Sequence, residues 1–198
     1  MNWGIHRITP APCGCVRGFC MLNPNNYKAS VCRLLILACL PLLLFTSCSS
    51  SKNNKKLRIG DVAPPFTALD LQGQKIILNA YIGKPVVLRF FYPNCRYCRA
   101  DTAVFNQYYR EFKDQGLLIV YLDTAARGED LQKFVDDLKI KFPVISDARK
   151  EVADKYRVNL VPQTIVLSPQ HRILAAILGG VSREQLDSLL GKFLVKKQ

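Results

Sequence analysis

The sequence predicts an α/β domain, a central mixed sheet flanked by helices, and three observations carry that expectation. Val86–Phe91 and residues 117–122 are nearly continuous apolar runs that bracket a helical pattern, as in a parallel strand–helix–strand unit whose strands are buried on both faces. Residues 162–167 and 172–178 flank Ser168-Pro169-Gln170-His171 as a hairpin, which brings antiparallel pairing into the same sheet. With 49% hydrophobic residues in a chain of 198, there is material for one core and one domain of ordinary size.

The elements follow in order. Gly60-Asp-Val-Ala-Pro-Pro-Phe66 opens the domain, and residues 69–78 read as two short strands about a turn at Gly73. After Gly83-Lys84-Pro85 comes the strand Val86–Phe91, apolar except for Arg89. From Arg96 to Gln115 the pattern is helical, with Ala100, Val104, Tyr108 and Phe112 four apart and Gly116 placed for a C-terminal cap. Beyond the strand at 117–122, Glu129 and Asp130 suit a helix N-terminus, and Leu131, Phe134 and Leu138 share the next helical face. Residues 142–146 read as a short strand and 151–156 as a short helix. After the hairpin, Ser182-Arg-Glu-Gln185 is a capping box that introduces an amphipathic helix through Leu186, Leu189, Leu190 and Phe193.

The beginning of the chain reads as an address. An apolar run from Leu34 to Phe45 is preceded by Lys28 and Arg33 and followed by small residues, the pattern of a secretory signal, and it is short for a bilayer span of about 20 residues. Phe45-Thr46-Ser47-Cys48 resembles the lipobox of bacterial lipoproteins, which implies lipidation of Cys48. The expected division is therefore a signal region at 1–47, with Met21 as the true start, a lipid anchor and Ser/Lys/Asn-rich tether at 48–56, and the folded domain at 57–198. Such a protein works outside the cytoplasm, where thiols require management.

The net charge is +13, and beyond Cys48 it is still +9, from 24 basic and 15 acidic residues. These bases are spread along the chain without a nucleic-acid motif, so no nucleic-acid partner is expected; a basic surface facing anionic lipid or an acidic partner is preferred. Of eight cysteines, only Cys95 and Cys98 lie in the expected domain, which rules out a disulfide framework.

Cys95-Arg96-Tyr97-Cys98 stands between a strand end and a helix start. There the unpaired N–H groups of the first helical turn stabilise a thiolate at the first cysteine, and the second lies one turn inward. That suits disulfide exchange, with Cys95 attacking and Cys98 resolving. Half of a zinc site is the competing reading, but beyond Cys98 the chain has no cysteine and only His171 as a further soft ligand.

Gly60-Asp-x-Ala-Pro-x-Phe66, Gly83-Lys-Pro-Val-Val-Leu88, the Cys-x-x-Cys, Phe142-Pro-Val-Ile-Ser-Asp147 and Val161-Pro162-Gln163-Thr164, in this order, resemble the TlpA/ResA-type thioredoxin-like proteins, membrane-tethered thiol–disulfide oxidoreductases of the bacterial envelope. The resemblance spans roughly 57–194. It implies a thioredoxin-like fold with an N-terminal strand pair and a strand/helix insertion near 128–156. It also implies a redox disulfide Cys95/Cys98, a cis peptide at Pro162 beside it that presents substrate backbone, and an acid at Asp101 that assists proton transfer. The implied partners are protein thiol/disulfide substrates and a membrane thiol reductant as electron donor, with no bound cofactor. The implied location is the periplasm-facing envelope, with a reductase role in cytochrome c maturation or in antioxidant repair of oxidised envelope proteins.

The chain departs from the family pattern at three places. Asn94 stands where tryptophan is usual and Tyr97 where proline is usual, and Arg89 stands where thioredoxins carry a buried acid and this family commonly an asparagine. Arg89, Arg96 and Arg99 would favour a thiolate if they approached the sulfurs, and Tyr97 is a further candidate for tuning them. The direction of electron flow is left open between reductase and oxidant. Two alternatives share the fold. A peroxiredoxin-like peroxidase would need a Pro-x-x-x-Thr-x-x-Cys motif, absent before Cys95. A Sco-like copper metallochaperone would need Cys-x-x-x-Cys and a distant histidine, for which His171 is the candidate.

Overall fold

The computed structural model describes residues 57–125 and 128–195. The expected signal region, the start at Met21, the anchor at Cys48 and the tether to residue 56 lie outside these residues. Among the described residues no helix is long and apolar enough to cross a membrane.

A short antiparallel pair, β1 (Thr67–Leu69) and β2 (Lys75–Ile77), precedes the main sheet. The main sheet comprises β3 (Val86–Phe91), β4 (Leu118–Asp123), β5 (Val144–Ser146), β6 (Gln163–Leu167) and β7 (Ile173–Leu178), in the spatial order β5-β4-β3-β6-β7. β3 is parallel to β4 and antiparallel to β6, β5 is parallel to β4, and β7 is antiparallel to β6, so the sheet is mixed as expected. Among the described residues, five α-helices flank it: α1 (Arg96–Ala100), α2 (Thr102–Phe112), α3 (Gly128–Asp137), α4 (Glu151–Lys155) and α5 (Arg183–Leu190). The segment read as an insertion forms α3, β5 and α4, and its strand becomes an edge of the sheet.

Central position explains why β3 and β4 read as nearly continuous apolar runs: all six residues of each are buried. Alternation then divides β3 between two cores. Val87 and Phe91 pack with Phe105, Tyr108, Tyr121 and Leu186 under α2, α3 and α5, while Val86, Leu88 and Phe90 pack with Phe66, Val152 and Tyr156 on the α4 side. Arg89 falls by the same alternation on the α2 face and is fully buried.

The continuous helix expected over 96–115 is in fact three pieces. α1 ends at Asp101 (φ −100°, ψ 2°), α2 restarts at Thr102, and a 3₁₀ turn at Lys113–Gln115 leads to Gly116, whose φ of 90° requires glycine. The break rotates the buried face. Thr102, Phe105, Tyr108 and Phe112 point inward, whereas Ala100 is exposed and Val104 only half-buried, so the stripe read from four-residue spacing is corrected at its first two positions. The capping box at Ser182 forms as read: Gln185 N–H donates to Ser182 Oγ at 3.3 Å, and Ser182 N–H donates to Gln185 Oε1 at 2.9 Å.

Candidate active site

The chain leaves β3 at Phe91 and turns through Tyr92, Pro93 and Asn94, with Cys95 N–H donating to the Tyr92 carbonyl at 3.1 Å. Asn94 Nδ2 donates to Asp130 Oδ2 on α3 at 3.2 Å. Cys95 is the N-cap of α1 in extended backbone, and its Sγ accepts the Cys98 N–H at 3.1 Å. This contact suits sulfur carrying negative charge. The two cysteines form a disulfide, with their Cα atoms 5.2 Å apart. Cys95 is half-buried whereas Cys98 has no exposure, so only the first sulfur is reachable from solvent.

Val161-Pro162 is cis, and Pro162 is buried at the start of β6. The β3–β6 register pairs Phe90 with Gln163, so the next step of that register sets Pro162 against Phe91, at the end of β3 from which the cysteine turn departs. The Pro162 carbonyl accepts the Gly179 N–H at 2.8 Å. Around this end three exposed apolar side chains come from three segments: Tyr97 from α1, Leu160 from the loop before Pro162, and Leu178 from the end of β7.

The arginines do not converge on the sulfurs. Arg96 lies over the exposed Tyr97 ring at 4.9 Å, and Arg99 pairs with Asp137 at 3.0 Å while covering Phe134. Arg89 turns inward. Its Nη2 donates to both carboxylate oxygens of Asp101, at 2.7 and 2.6 Å, and its Nη1 donates to Thr164 Oγ1 at 2.7 Å and to the Gly179 carbonyl at 3.0 Å. Its guanidinium stacks on Phe105 at 5.2 Å, and its Nε has no hydrogen-bond partner. Asp101 also accepts the Val181 N–H at 2.8 Å. Burial lifts the Asp101 carboxyl above the ordinary carboxylate range, and the Arg89 charge and the Val181 N–H pull the other way. Asp101 is thus a buried, fully engaged carboxylate rather than a helix-surface residue.

Sequence reasoning missed Thr164, Gly179 and Val181 as partners of the pair, and the exposure of Leu160 and Leu178. Thr164 lies inside the Val161-Pro162-Gln163-Thr164 motif, but nothing local marks it as an acceptor for residue 89, 75 positions earlier. His171 is buried in the β6–β7 turn, by the Val86 end of β3 and therefore at the end of the sheet opposite the cysteines. Among the described residues no group of three or more His, Cys, Asp or Glu could hold a metal ion.

The AhpC/TSA family matches residues 59–176. The thiol-disulfide oxidoreductase ResA of Bacillus thuringiensis (strain Al Hakam) is 31% identical over 140 residues, covering 71% of this chain and 81% of its own. That of Geobacillus kaustophilus is 26% identical over 154 residues, covering 78% and 87%. Among solved structures, the thioredoxin domain of a Bacteroides vulgatus thiol-disulfide oxidoreductase superposes with a TM-score of 0.62 at 32% identity, covering 70% of this chain and 99% of that one. A thiol:disulfide interchange protein from Bacteroides sp. gives 0.61 at 30% identity, covering 71% and 92%. With the fold, the disulfide at the start of α1 and these relatives in agreement, the chain belongs to the AhpC/TSA family and is a thiol–disulfide oxidoreductase of its thioredoxin-like, ResA-type branch.

Proposed function

We propose that the protein reduces disulfides of other envelope proteins through Cys95 and Cys98, and the observation that carries this is the unequal exposure of the two sulfurs. In the dithiol form, the Cys95 thiolate attacks one sulfur of a substrate disulfide and expels the other as a thiolate. Cys98 gives up its proton and attacks Cys95 Sγ, which closes the Cys95–Cys98 disulfide and releases the second substrate sulfur. Two electrons pass to the substrate, and the two protons lost by the cysteines end on its thiols. A membrane dithiol then returns two electrons. Pro162 supports the backbone of the substrate beside Cys95, and Tyr97, Leu160 and Leu178 provide an apolar rim for it. The leader supports a lipid anchor at Cys48, a tether at 49–56 and a periplasm-facing working domain at 57–198. That Arg89, Arg96 and Arg99 each have another partner favours the reducing direction, since none is left to hold the sulfurs as unusually stable thiolates.

Two measurements test the proposal. Cys95→Ser abolishes exchange while Cys98→Ser accumulates mixed disulfides with substrate; full activity in Cys95→Ser ends it. Equilibration in thiol/disulfide buffers gives a potential near or below about −270 mV, whereas a value approaching about −120 mV makes the protein an oxidant.

A further inference from the structure

Arg89 is a cation on a central strand, without solvent exposure. A buried charge persists only where its surroundings are built for it, and three segments contribute polar groups here. Asp101 comes from the α1–α2 junction, Thr164 from β6 two residues after the cis proline, and the Gly179 carbonyl and Val181 N–H from the connection between β7 and α5. Phe105 of α2 closes the face of the guanidinium. Asp101 follows Cys98 by three residues, and Thr102 Oγ1 donates to the Cys98 carbonyl at 2.9 Å, so the pair is continuous with the turn that bears the buried sulfur.

We propose that Arg89 is a positioning residue of the redox centre: it holds Asp101 as a charge-compensated carboxylate one turn beyond Cys98 and ties the cysteine-bearing helix to the strand that follows Pro162. An uncompensated carboxylate here would oppose thiolate formation, and an uncompensated guanidinium would promote it. The pair leaves the dithiol with neither, which is how a buried arginine is compatible with a reducing protein. The elements packed around the pair present few other ionisable groups. α1 presents Cys95 and Cys98, β6 only the Thr164 hydroxyl, and the β7–α5 connection backbone dipoles. β4 presents Tyr121, whose hydroxyl burial keeps protonated well above neutral pH. The charge balance at the centre therefore turns on residues 89 and 101.

The inference rests on Cys95 and Cys98 being the working dithiol, and its test reads the sulfur directly. In the reduced protein, the rate of iodoacetamide alkylation against pH reports the half-buried Cys95. Asp101→Asn, which leaves the cation alone, moves the profile to lower pH by about one pH unit, about a tenfold gain in thiolate below both midpoints. Arg89→Met moves it upward and adds a second inflection as Asp101 titrates. The double variant Arg89→Met/Asp101→Asn returns the midpoint to that of the parent, and Arg89→Lys, which keeps the charge, stays near it. Coincident profiles for the parent and Asp101→Asn, with only thermal stability altered, overturn the proposal. That comparison stands even where Arg89→Met fails to fold. Absent disulfide exchange with these profile shifts intact would sink the proposed function and leave the role of Arg89 standing.

Discussion

Beneath the cysteine-bearing helix and on its outer side, the protein uses the same chemical pair in two ways. Arg99 on α1 meets Asp137 on α3 at the solvent-facing surface, with side chains 37% and 43% exposed, while Arg89 meets Asp101 in the interior, at 0% and 10%. The outer pair exchanges hydration for a contact of similar strength and holds α1 near α3 loosely. The inner pair has surrendered its hydration and is stable only because the guanidinium and the carboxylate each find further partners in protein. Identical charges thus act as a surface contact in one region and as an indispensable set in the other, and dielectric surroundings make the difference.

The largest expected effect comes from breaking the inner pair. Arg89→Met strands a desolvated carboxylate and lowers unfolding free energy by about 3–5 kcal/mol, read by denaturant titration. The loss grows with pH. Asp101 already holds its proton more tightly folded than unfolded, so the stability tied to that proton is full below the unfolded pKa and is lost as pH rises through the folded one. Without Arg89 the folded value climbs further, and the window of loss extends upward. A deficit equal at pH 5 and pH 8 would contradict this account. Thr164→Val is next: it removes an acceptor from Arg89 Nη1 without touching the ion pair, at about 1–3 kcal/mol. Smallest is Arg99→Ala, at less than about 1 kcal/mol, fading as salt is raised. A larger, salt-independent loss at Arg99 would show that the outer pair is more desolvated than its exposure implies.

Legibility followed the distance along the chain over which each feature is decided. The strands of the main sheet, the cap at Ser182 and the placement of Cys95 at a helix start are short-range matters, and the structure has them within a residue or two of where the pattern sets them, whereas the first short strand, read as starting at Leu69, instead ends there, at Thr67–Leu69. The cis peptide at Pro162 was implied by resemblance, since no local property of Val161-Pro162 demands it. The helix break at Asp101 was illegible for a different reason. Residues 96–115 carry no proline or glycine and keep a helical period. The chain deviates where Asp101 is drawn to Arg89, twelve positions earlier, and to Val181, eighty positions later.

By itself, the sequence determined the alternation of elements, the mixed sheet, and a dithiol with one sulfur at a helix cap and the other a turn inward, because these depend on periodicity and on backbone groups near in the chain. Only the tertiary structure decided which arginine is buried, which carboxylate answers it, and which apolar side chains stay exposed at the Pro162 end of the sheet. A charge can be taken out of water only after strands and helices far apart in sequence have packed to surround it, and no local pattern records which of them will.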